Sequence, residues 1–576
     1  MSDPLSASER LACLDDYCTA GAIAPIDVAS ARMLVSIARR SGHGTEPPLL
    51  AWVGMCLAIR GPRDGHTCVD LGRIAEWAGR NDSSLRAHPP WPGEPEPWID
   101  ALRSVPSLVG GPGDRTPFIL DHPSPDTPRL YLARAFAEEQ AIADSLLLDG
   151  SRRISVLLGG PGSGKTYTLA KDLIDLFAAS ERPPRIALAA PTGKAAARMT
   201  QALESRCAKA KASEAVLQAV RAAPATTVHR LLKYAPDRTP QFAYGPGNPL
   251  DYDIVVVDEV SMLSCSLLHR LLTALSPTAA IRLVGDPDQL TSVESGTVLA
   301  DIAAACRQAG SPLGPRLTEL TGQHRYPADS AIAALASAIR RGDAAAAIET
   351  LGGGSADVVW IEPEDTARLR ATDALVVEHA RRLRDLAESA SGTPDERAAR
   401  ALREQGMLQV LCGTRGGRHG VANWNRRIER GLGLNATAGW YAGRPVMITR
   451  NNPDIALSNG DVGLVIPAAD GQASGSRPDA VFALGDQAIR VPVTRLEDVE
   501  TVHALTIHKS QGSEYEHAVV ILPEAGGRIL TRELLYTAVT RGTRQLTVIG
   551  SRTAIAEAIG RPIRRATGLA LRLRGG

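Results

Sequence analysis

The sequence predicts an α/β protein in which two halves are each built on a parallel sheet covered by helices. Four apolar, partly β-branched runs, "ISVLLGG", "RIALAAPTG", "YDIVVVDE" and "AIRLVGDPDQ", each lead into a helical segment. This is the pattern of strands that are buried on both faces. A second set begins at "MLQVLCGTRGG" and resumes at "VHALTIHKSQGSEYEHAVVIL". The length of 576 residues exceeds what one core supports and indicates about three to four domains.

The N-terminal part reads differently from these two halves. Up to about residue 84, apolar positions recur at helical spacing in "PIDVASARMLVSIARR" and "LLAWVGMCLAI". A Pro- and Gly-rich stretch follows, which proline keeps out of helices and central strands. Trp91 and Trp98 are the expected anchors of that stretch. We predict a helical N-terminal domain over residues 1–115.

The remaining chain divides into a first α/β domain over residues 116–326 and a second over 327–576. Within the second domain, "NGDVGLVIP" and "DAVFALGDQAIRVPV" alternate apolar and polar residues and contain the turn pairs Asn459-Gly460 and Gly485-Asp486. Short strands with tight turns predict a small β-barrel inserted at 440–498.

Composition restricts the class of protein and its partners. The hydrophobic content of 44% and charged content of 22% are typical of soluble globular proteins. No apolar run approaches the roughly 20 residues of a membrane span, and no signal peptide is recognisable, so we expect a cytoplasmic protein without membrane contact. The eight cysteines form no C-x-x-C pair and are expected to be reduced. A net charge of +1 means that any nucleic-acid site must be a local groove.

The stretch "VLLGGPGSGKTYT" matches the pattern G-x-x-x-x-G-K-[ST] directly after a predicted strand. A glycine-rich turn between a strand and a helix directs backbone N–H groups at phosphate. Lys165 would reach the β- and γ-phosphates of ATP, and the Thr166 hydroxyl would bind Mg²⁺. A flexible loop that fits the pattern by chance is the alternative. The predicted nucleotide-binding residues of the loop are Gly159, Gly160, Pro161, Gly162, Ser163, Gly164, Lys165, Thr166 and Tyr167.

Acidic and amide side chains follow two later strands. Asp258 and Glu259 end "IVVVDE", where Asp258 can hold the magnesium ion and Glu259 can polarise the attacking water. Gln289, in "LVGDPDQL" with Asp286, can sense the γ-phosphate because its amide both donates and accepts hydrogen bonds. A solvated loop and an Asx-type turn are the structural alternatives.

Two arginines complete the predicted catalytic set. Arg325 in "LTGQHRY" and Arg541 in "LYTAVTRGTRQL" follow polar turns in opposite halves. A planar guanidinium suits the charge that develops on a transferring phosphoryl group. We predict that both reach into a cleft between the halves.

Read in order, "GGPGSGKT", "APTGKAAARM", "TTVHRLL", "VVVDEVSML", "VGDPDQLTSVESG", "GQHRY", "TIHKSQGSEYEHAVVILP" and "LLYTAVTRGTRQ" resemble the full motif set of superfamily 1 helicases. The set is most similar to that of the RecD family, the alpha subunits of bacterial exodeoxyribonuclease V, or RecBCD. This resemblance implies two RecA-like P-loop domains, an SH3-like barrel as the insertion at 440–498, and a helical N-terminal domain that docks on a partner.

The resemblance also implies site residues beyond the phosphate loop. Gln140 matches the glutamine that reads adenine. The residues matching those that hold single-stranded DNA are Thr192, Lys194, His229, Thr506 and His508. The resemblance further implies that "YAPDRTPQFAYGPGNPL" is a short hairpin insertion near 233–250 that would split the duplex. The implied partners are single-stranded and duplex-end DNA together with RecB-like and RecC-like subunits in a heterotrimer.

Direction of travel follows from the resemblance and one missing feature. Superfamily members that run 3′→5′ typically carry aromatic residues after the "GDxxQ" motif, whereas "GDPDQLTSVESG" has none. We therefore expect the 5′→3′ branch and a DNA repair and recombination function. No second acidic cluster suggests a nuclease in this chain, so exonuclease activity is expected from the RecB-like subunit.

Three alternatives stay open at this point. The first is a stand-alone RecD-like 5′→3′ helicase, which the short N-terminal region without a helix-hairpin-helix pattern disfavours. The second is a structural clamp with an inactive ATPase, which would need a broken motif. The third is a motor that acts on RNA, because the motifs do not fix the sugar.

Overall fold

The computed structural model describes residues 7–42, 46–74, 91–123, 127–147, 154–223, 225–235, 241–322, 324–327, 329–389, 391–434, 439–455, 457–467, 477–484 and 487–574. Among these residues, no helix combines the length and apolar character that crossing a bilayer requires.

The N-terminal region packs helices against a small sheet. Its helices are α1 (Ala7–Thr19), α2 (Pro25–Arg40), α3 (Leu49–Arg60) and α4 (Glu96–Arg103). Its strands are β1 (Cys68–Asp70), β2 (Val109–Gly110), β3 (Phe118–Asp121) and β4 (Arg129–Leu132), in the order β1-β4-β3-β2. Trp98 is fully buried in this core, and Trp91 packs on it edge to face at 5.4 Å, in keeping with the predicted anchoring.

The predicted boundary at residues 115/116 is wrong in one respect. It falls inside this sheet, because Val109 and Gly110 before it pair with Phe118 and Ile119 after it. The N-terminal region is also not purely helical. We place its end at Leu132, where β4 leads directly into the next helix.

The first half contains a six-stranded parallel sheet in the order β12-β5-β11-β10-β6-β7. Its strands are β5 (Ile154–Gly159), β6 (Ile186–Ala190), β7 (Ala225–Thr227), β10 (Ile254–Val257), β11 (Ala280–Gly285) and β12 (Leu317–Leu320). The covering helices are α5 (Ala133–Leu147), α6 (Lys165–Ala178), α7 (Gly193–Lys209), α8 (Glu214–Ala222), α9 (Val228–Leu231), α10 (Cys265–Ala274) and α11 (Val298–Arg307). All four residues of β10 are buried, as a central strand covered on both faces requires.

A short hairpin extends from this half. Strands β8 (Tyr234–Ala235) and β9 (Gln241–Phe242) pair antiparallel, within the segment where a hairpin is predicted. The connecting residues 236–240 lie outside the described part of the chain.

The second half repeats the parallel arrangement with five strands in the order β13-β22-β21-β14-β20. These strands are β13 (Val358–Ile361), β14 (Leu408–Cys412), β20 (Ala504–Thr506), β21 (Tyr515–Ile521) and β22 (Gly542–Ile549). Its helices are α12 (Ala331–Arg341), α13 (Ala344–Gly352), α14 (Thr366–Glu388), α15 (Pro394–Gln405), α16 (Val421–Gly431), α17 (Arg532–Val539) and α18 (Arg552–Gly560).

An antiparallel five-stranded sheet interrupts the second half. Its strands are β15 (Pro445–Ile448), β16 (Val462–Ile466), β17 (Asp479–Leu484), β18 (Gln487–Pro492) and β19 (Val499–Thr501), in the order β18-β17-β16-β15-β19. Gly460 adopts a φ of +93°, which explains the glycine in the predicted Asn459-Gly460 turn. The Gly485-Asp486 pair lies outside the described residues. No pairing among the described strands joins β18 to β19, so a closed SH3-like barrel stays a prediction.

The C-terminal segment returns from the second half to the first. It ends in the short helix α19 (Leu569–Arg572), and Leu569 and Leu573 are buried in the same core as Ile142 and Leu146 of α5. The backbone of Thr67 in the N-terminal region donates a hydrogen bond to the carbonyl of Ala566 at 3.0 Å. This segment therefore joins three parts of the fold.

Candidate nucleotide and DNA site

The phosphate loop lies between β5 and α6 as predicted. Gly162 and Gly164 adopt φ values of +77° and +95°, a backbone conformation that glycine tolerates without strain. Lys165 Nζ donates hydrogen bonds to the carbonyls of Gly159 and Gly160 at 2.6 and 3.1 Å. Ser163 Oγ is buried and has no hydrogen-bond partner among the described residues. A loop that holds a lysine and an unsatisfied hydroxyl suits an anionic ligand.

This loop forms one wall of a cavity of about 450 Å³. The predicted residues that line it are Gly160, Pro161, Gly162, Ser163, Gly164, Lys165, Thr166, Tyr167, Asp258, Glu259, Gln289, Arg325 and Arg541. The structure therefore gathers the whole predicted catalytic set around one cavity. A pocket of this size falls in the range of small-molecule and cofactor sites.

The two acidic side chains lie at the end of β10. Burial raises the pKa of Asp258, although the neighbouring Lys165 opposes the shift. Burial and the charge of Asp258 both raise the pKa of Glu259. Glu259 also adopts the left-handed region with a φ of +53°, which is uncommon outside glycine and occurs preferentially at functional sites.

Gln289 links the cavity to the second half. Its Nε2 donates to Asp286 Oδ2 at 3.0 Å, and Tyr536 of α17 donates its hydroxyl to the same oxygen at 3.1 Å. Arg541 Nη2 donates to Gln289 Oε1 at 3.4 Å. Arg541 is itself buried, which lowers its pKa. Through these hydrogen bonds, a change in the contact between Gln289 and the γ-phosphate of ATP would be transmitted to α17.

Arg325 reaches the second half through Glu514. Its Nη2 donates to Glu514 Oε1 at 2.7 Å, and its Nη1 donates to the carbonyl of Thr540 at 3.3 Å. Arg198 of α7 forms an ion pair with the same carboxylate at 3.2 Å. Sequence reasoning missed Glu514 and Arg198, although both belong to motif segments, "QGSEYE" and "AAARM", that were recognised.

Gln140, for which the resemblance implies a role in reading adenine, is not among the described residues that line this cavity. Its Oε1 accepts a hydrogen bond from Arg572 Nη1 at 2.9 Å, and its Nε2 donates to Asp144 at 2.8 Å. Both ends of the amide are therefore engaged by protein groups. The C-terminal segment causes this arrangement, because it brings Arg572 onto α5.

The predicted DNA residues of the first half occupy two places. Thr192 caps α7, where its Oγ1 accepts from the backbone of Ala195 at 3.3 Å, and Lys194 lines a separate cavity of about 270 Å³ with Asp461. Burial lowers the pKa of Lys194 to about 8. His229 instead packs beside the hairpin, with its ring 5.5 Å from that of Tyr234.

The predicted DNA residues of the second half follow β20. Thr506 is buried, and its hydroxyl accepts from the backbone of Lys509 at 3.3 Å. Burial, with smaller effects of Arg565 and Arg415, lowers the pKa of His508. The hydroxyl of Thr506 is thus used within its own turn, as that of Thr192 is in its helix cap.

Two parallel sheets with a phosphate loop on one, an acidic pair beside it, and arginines that bridge the cleft define a nucleotide-driven motor of the superfamily 1 helicase class. Family models agree with this class: an AAA domain matches residues 143–295, and a UvrD-like helicase C-terminal domain matches residues 501–549. The model described as the N-terminal domain of the RecBCD enzyme subunit RecD matches residues 19–131, ending beside Leu132. The chain belongs to the RecD family.

Curated relatives support this assignment along the whole chain. The RecBCD enzyme subunit RecD of Mycolicibacterium smegmatis is 39% identical over 96% of this chain and 97% of its own length. That of Mycobacterium tuberculosis is 38% identical over 95% of each chain. The ATP-dependent RecD2 DNA helicase of Deinococcus radiodurans is 32% identical over 73% of this chain but covers only 50% of that protein.

Proposed function

We propose that this chain is the ATP-driven 5′→3′ DNA helicase subunit of a RecBCD-type complex that processes double-strand ends for recombinational repair. The observation that carries the proposal is the cavity in which the phosphate loop of the first half meets Gln289, Arg325 and Arg541. Arg325 donates a hydrogen bond to Glu514 of the second half, and Gln289 donates to Asp286, which also accepts from Tyr536 of the second half.

The residues that line the cavity have different roles in ATP hydrolysis. The loop amides and Lys165 hold the β- and γ-phosphates, and Tyr167, which is 60% exposed, lies on the same wall. Thr166 and Asp258 supply oxygen ligands of the kind that Mg²⁺ takes, and the ion would neutralise charge on the phosphates. Glu259, which lines the same cavity beside Asp258, polarises the attacking water.

Translocation follows from opening and closing of the cleft. Arg325 and Arg541 move onto the γ-phosphate when ATP binds and are released after hydrolysis. Thr192, Lys194 and His229 hold DNA on the first half, and Thr506 and His508 hold it on the second. The two halves hold the DNA strand in alternation, and this moves the protein along the strand.

Polarity is proposed from the loop that follows Gln289. Val293 is 79% exposed there, and the segment carries no aromatic residue on which bases could stack. The hairpin of β8 and β9 would separate the strands, and the antiparallel sheet at 445–501 would act as the SH3-like element beside the track. The N-terminal region would dock on the RecC-like subunit of a heterotrimer, and the RecB-like subunit would supply the nuclease.

The ATPase of the purified chain tests the motor directly. We expect hydrolysis that single-stranded DNA stimulates and that Glu259→Gln abolishes. Complete absence of hydrolysis in the wild-type chain would favour a structural clamp. Native mass measurement of the chain in cell extract separates the subunit from a stand-alone helicase, because only the subunit should be found in a complex with two partner chains.

A further inference from the structure

Two arginines of the first half share one carboxylate of the second half, that of Glu514. Arg325 Nη2 donates to Glu514 Oε1 at 2.7 Å, and Arg198 Nη2 lies 3.2 Å from the same oxygen atom. Glu514 directly precedes β21, whereas Arg198 belongs to α7. All three residues line the cavity beside the phosphate loop. This carboxylate therefore contacts one arginine more than a simple ion pair requires.

The third arginine of the cavity, Arg541, is engaged elsewhere. Its guanidinium donates to the carbonyls of Thr537 and Ser513 at 3.0 Å each and to Gln289 Oε1 at 3.4 Å. Its charge acts on Glu514 from a distance and helps to hold the pKa of that carboxyl below its usual value, against the effect of burial. The contact that can replace Arg325 on Glu514 is therefore the one made by Arg198.

The loop before β21 fixes the position of Arg198. Arg198 Nη1 donates to the carbonyl of Gly512 in that loop. Gly512 has a φ of +70°, and a Cβ at this position would lie 3.6 Å from the Cβ of Ala195, about one turn before Arg198 on α7. The loop therefore lies against α7, and Arg198 contacts both its backbone and Glu514 without the help of Arg325.

Arg325, in contrast, lies against the phosphate loop. The backbone of His324 donates to the carbonyl of Gly162 at 2.9 Å, and a Cβ at Gly162 would collide with the Cβ of Arg325. The Arg325 side chain is 15% exposed, whereas that of Arg198 is 43% exposed. Arg325 is therefore the arginine that a bound γ-phosphate would draw away from Glu514, and Arg198 is the one that would stay.

Transfer of Arg325 to the phosphate leaves the carboxylate of Glu514 behind. The Glu514 side chain is only 32% exposed, and a partly buried charge that loses its partner is unfavourable. Arg198 reduces this penalty, because it remains beside the same oxygen atom after Arg325 has left. The shared carboxylate thus makes the release of Arg325 easier than it would be from an isolated pair.

We propose that Arg198 is a positioning residue of the ATPase, which keeps Glu514 paired while Arg325 transfers to the γ-phosphate of ATP. The proposal rests on the proposed function and assigns to Arg198 an effect through Glu514 rather than a contact with the nucleotide. ADP lacks the γ-phosphate that draws Arg325 away. Binding of ADP should therefore not depend on Arg198.

The test compares the Kd of the full-length chain for a non-hydrolysable ATP analogue with its Kd for ADP, by titration at low salt. The variants are Arg198→Gln, Arg198→Lys, Glu514→Gln and the combination of Arg198→Gln with Glu514→Gln. Lys209→Gln, at an exposed position of α7, is the matched control, because it removes a positive charge from the same helix. Thermal unfolding reports whether each variant is folded.

We expect Arg198→Gln to raise the Kd of the ATP analogue about three- to tenfold and to leave the Kd of ADP unchanged. Arg198→Lys keeps a positive charge beside Glu514 and should stay within about twofold of the wild type. In the Glu514→Gln background, Arg198→Gln should have no effect, because no carboxylate is left to be kept paired. Lys209→Gln should match the wild type.

Three results would overturn the proposal. The first is a wild-type Kd for the ATP analogue in folded Arg198→Gln, and the second is an equal loss of affinity for ADP, which indicates a general change in the cavity. The third is an undiminished effect of Arg198→Gln in the Glu514→Gln background, which indicates a direct contact with the nucleotide. A wild-type chain that binds neither nucleotide would instead contradict the proposed function.

Discussion

Arg325 and Glu514 form a hydrogen-bonded ion pair of 2.7 Å across the cleft between the two halves. Burial alone would raise the pKa of Glu514, but Arg325, Arg198 and Arg541 outweigh it and hold that pKa below its ordinary value. Glu514 is therefore a carboxylate at neutral pH. If Arg325 contacts the γ-phosphate as proposed, an incoming triphosphate competes with Glu514 for it.

Arg325→Ala should abolish most ATP turnover. Arginines that stabilise a transferring phosphoryl group contribute about a thousandfold or more to kcat. We expect that loss in kcat with a far smaller change in ATP affinity. Arg341→Ala, an exposed arginine at the end of α12, should behave as wild type. Equal kcat values in the two variants would exclude Arg325 from the reaction.

Glu514→Gln should tighten nucleotide binding. Without the carboxylate, the phosphates no longer compete for Arg325, and we expect the Kd of a non-hydrolysable ATP analogue to fall roughly two- to fivefold. The measurement is a titration at low salt. In the Arg325→Ala background the same substitution should have no such effect, and an equal gain there would refute the competition.

DNA binding should depend on pH through Lys194. Its lowered pKa of about 8 means that the free protein loses this charge above that pH, whereas a nearby phosphate would favour the protonated amine. Binding therefore takes up a proton, and affinity should fall about tenfold between pH 7 and pH 9. Lys194→Arg should remove the dependence. Lys209→Arg, at an exposed position of α7, should retain it.

Leu573→Ala should destabilise the first half. Leu573 is fully buried in the core beneath α5, and removing such a side chain costs about 2–5 kcal/mol of unfolding free energy. Leu375→Ala, at a position 39% exposed on α14, is the control and should change little. Denaturant unfolding measures both. A neutral result for Leu573→Ala would show that the C-terminal segment is not docked in solution.

Short local patterns in the sequence were enough to predict several features of the protein. The phosphate loop, the acidic pair Asp258 and Glu259, and the alternation of strands and helices all follow from residues close together in the chain. Glu514 and Arg198 were not predicted as site residues, because their side chains come together only when the two halves pack against each other. The contact between Gln140 and Arg572 could not be predicted for a similar reason, since Arg572 comes from the far end of the chain.

The N-terminal boundary illustrates a second limit. Strand β2 has only two residues and lies in a Pro- and Gly-rich segment, so it shows no alternating pattern. It pairs with β3 and packs against α4, contacts that a sequence pattern does not show, and the predicted division at 115/116 therefore cut through a sheet.

Strand separation by the purified chain, on duplexes bearing either a 5′ or a 3′ single-stranded tail, examines the motor and its polarity in one experiment. Lys165→Gln is the control, because it removes the phosphate-loop amine without touching the DNA residues. We expect ATP-dependent unwinding from the 5′ tail alone and none by Lys165→Gln. Unwinding from the 3′ tail, or unwinding that survives Lys165→Gln, would contradict this expectation.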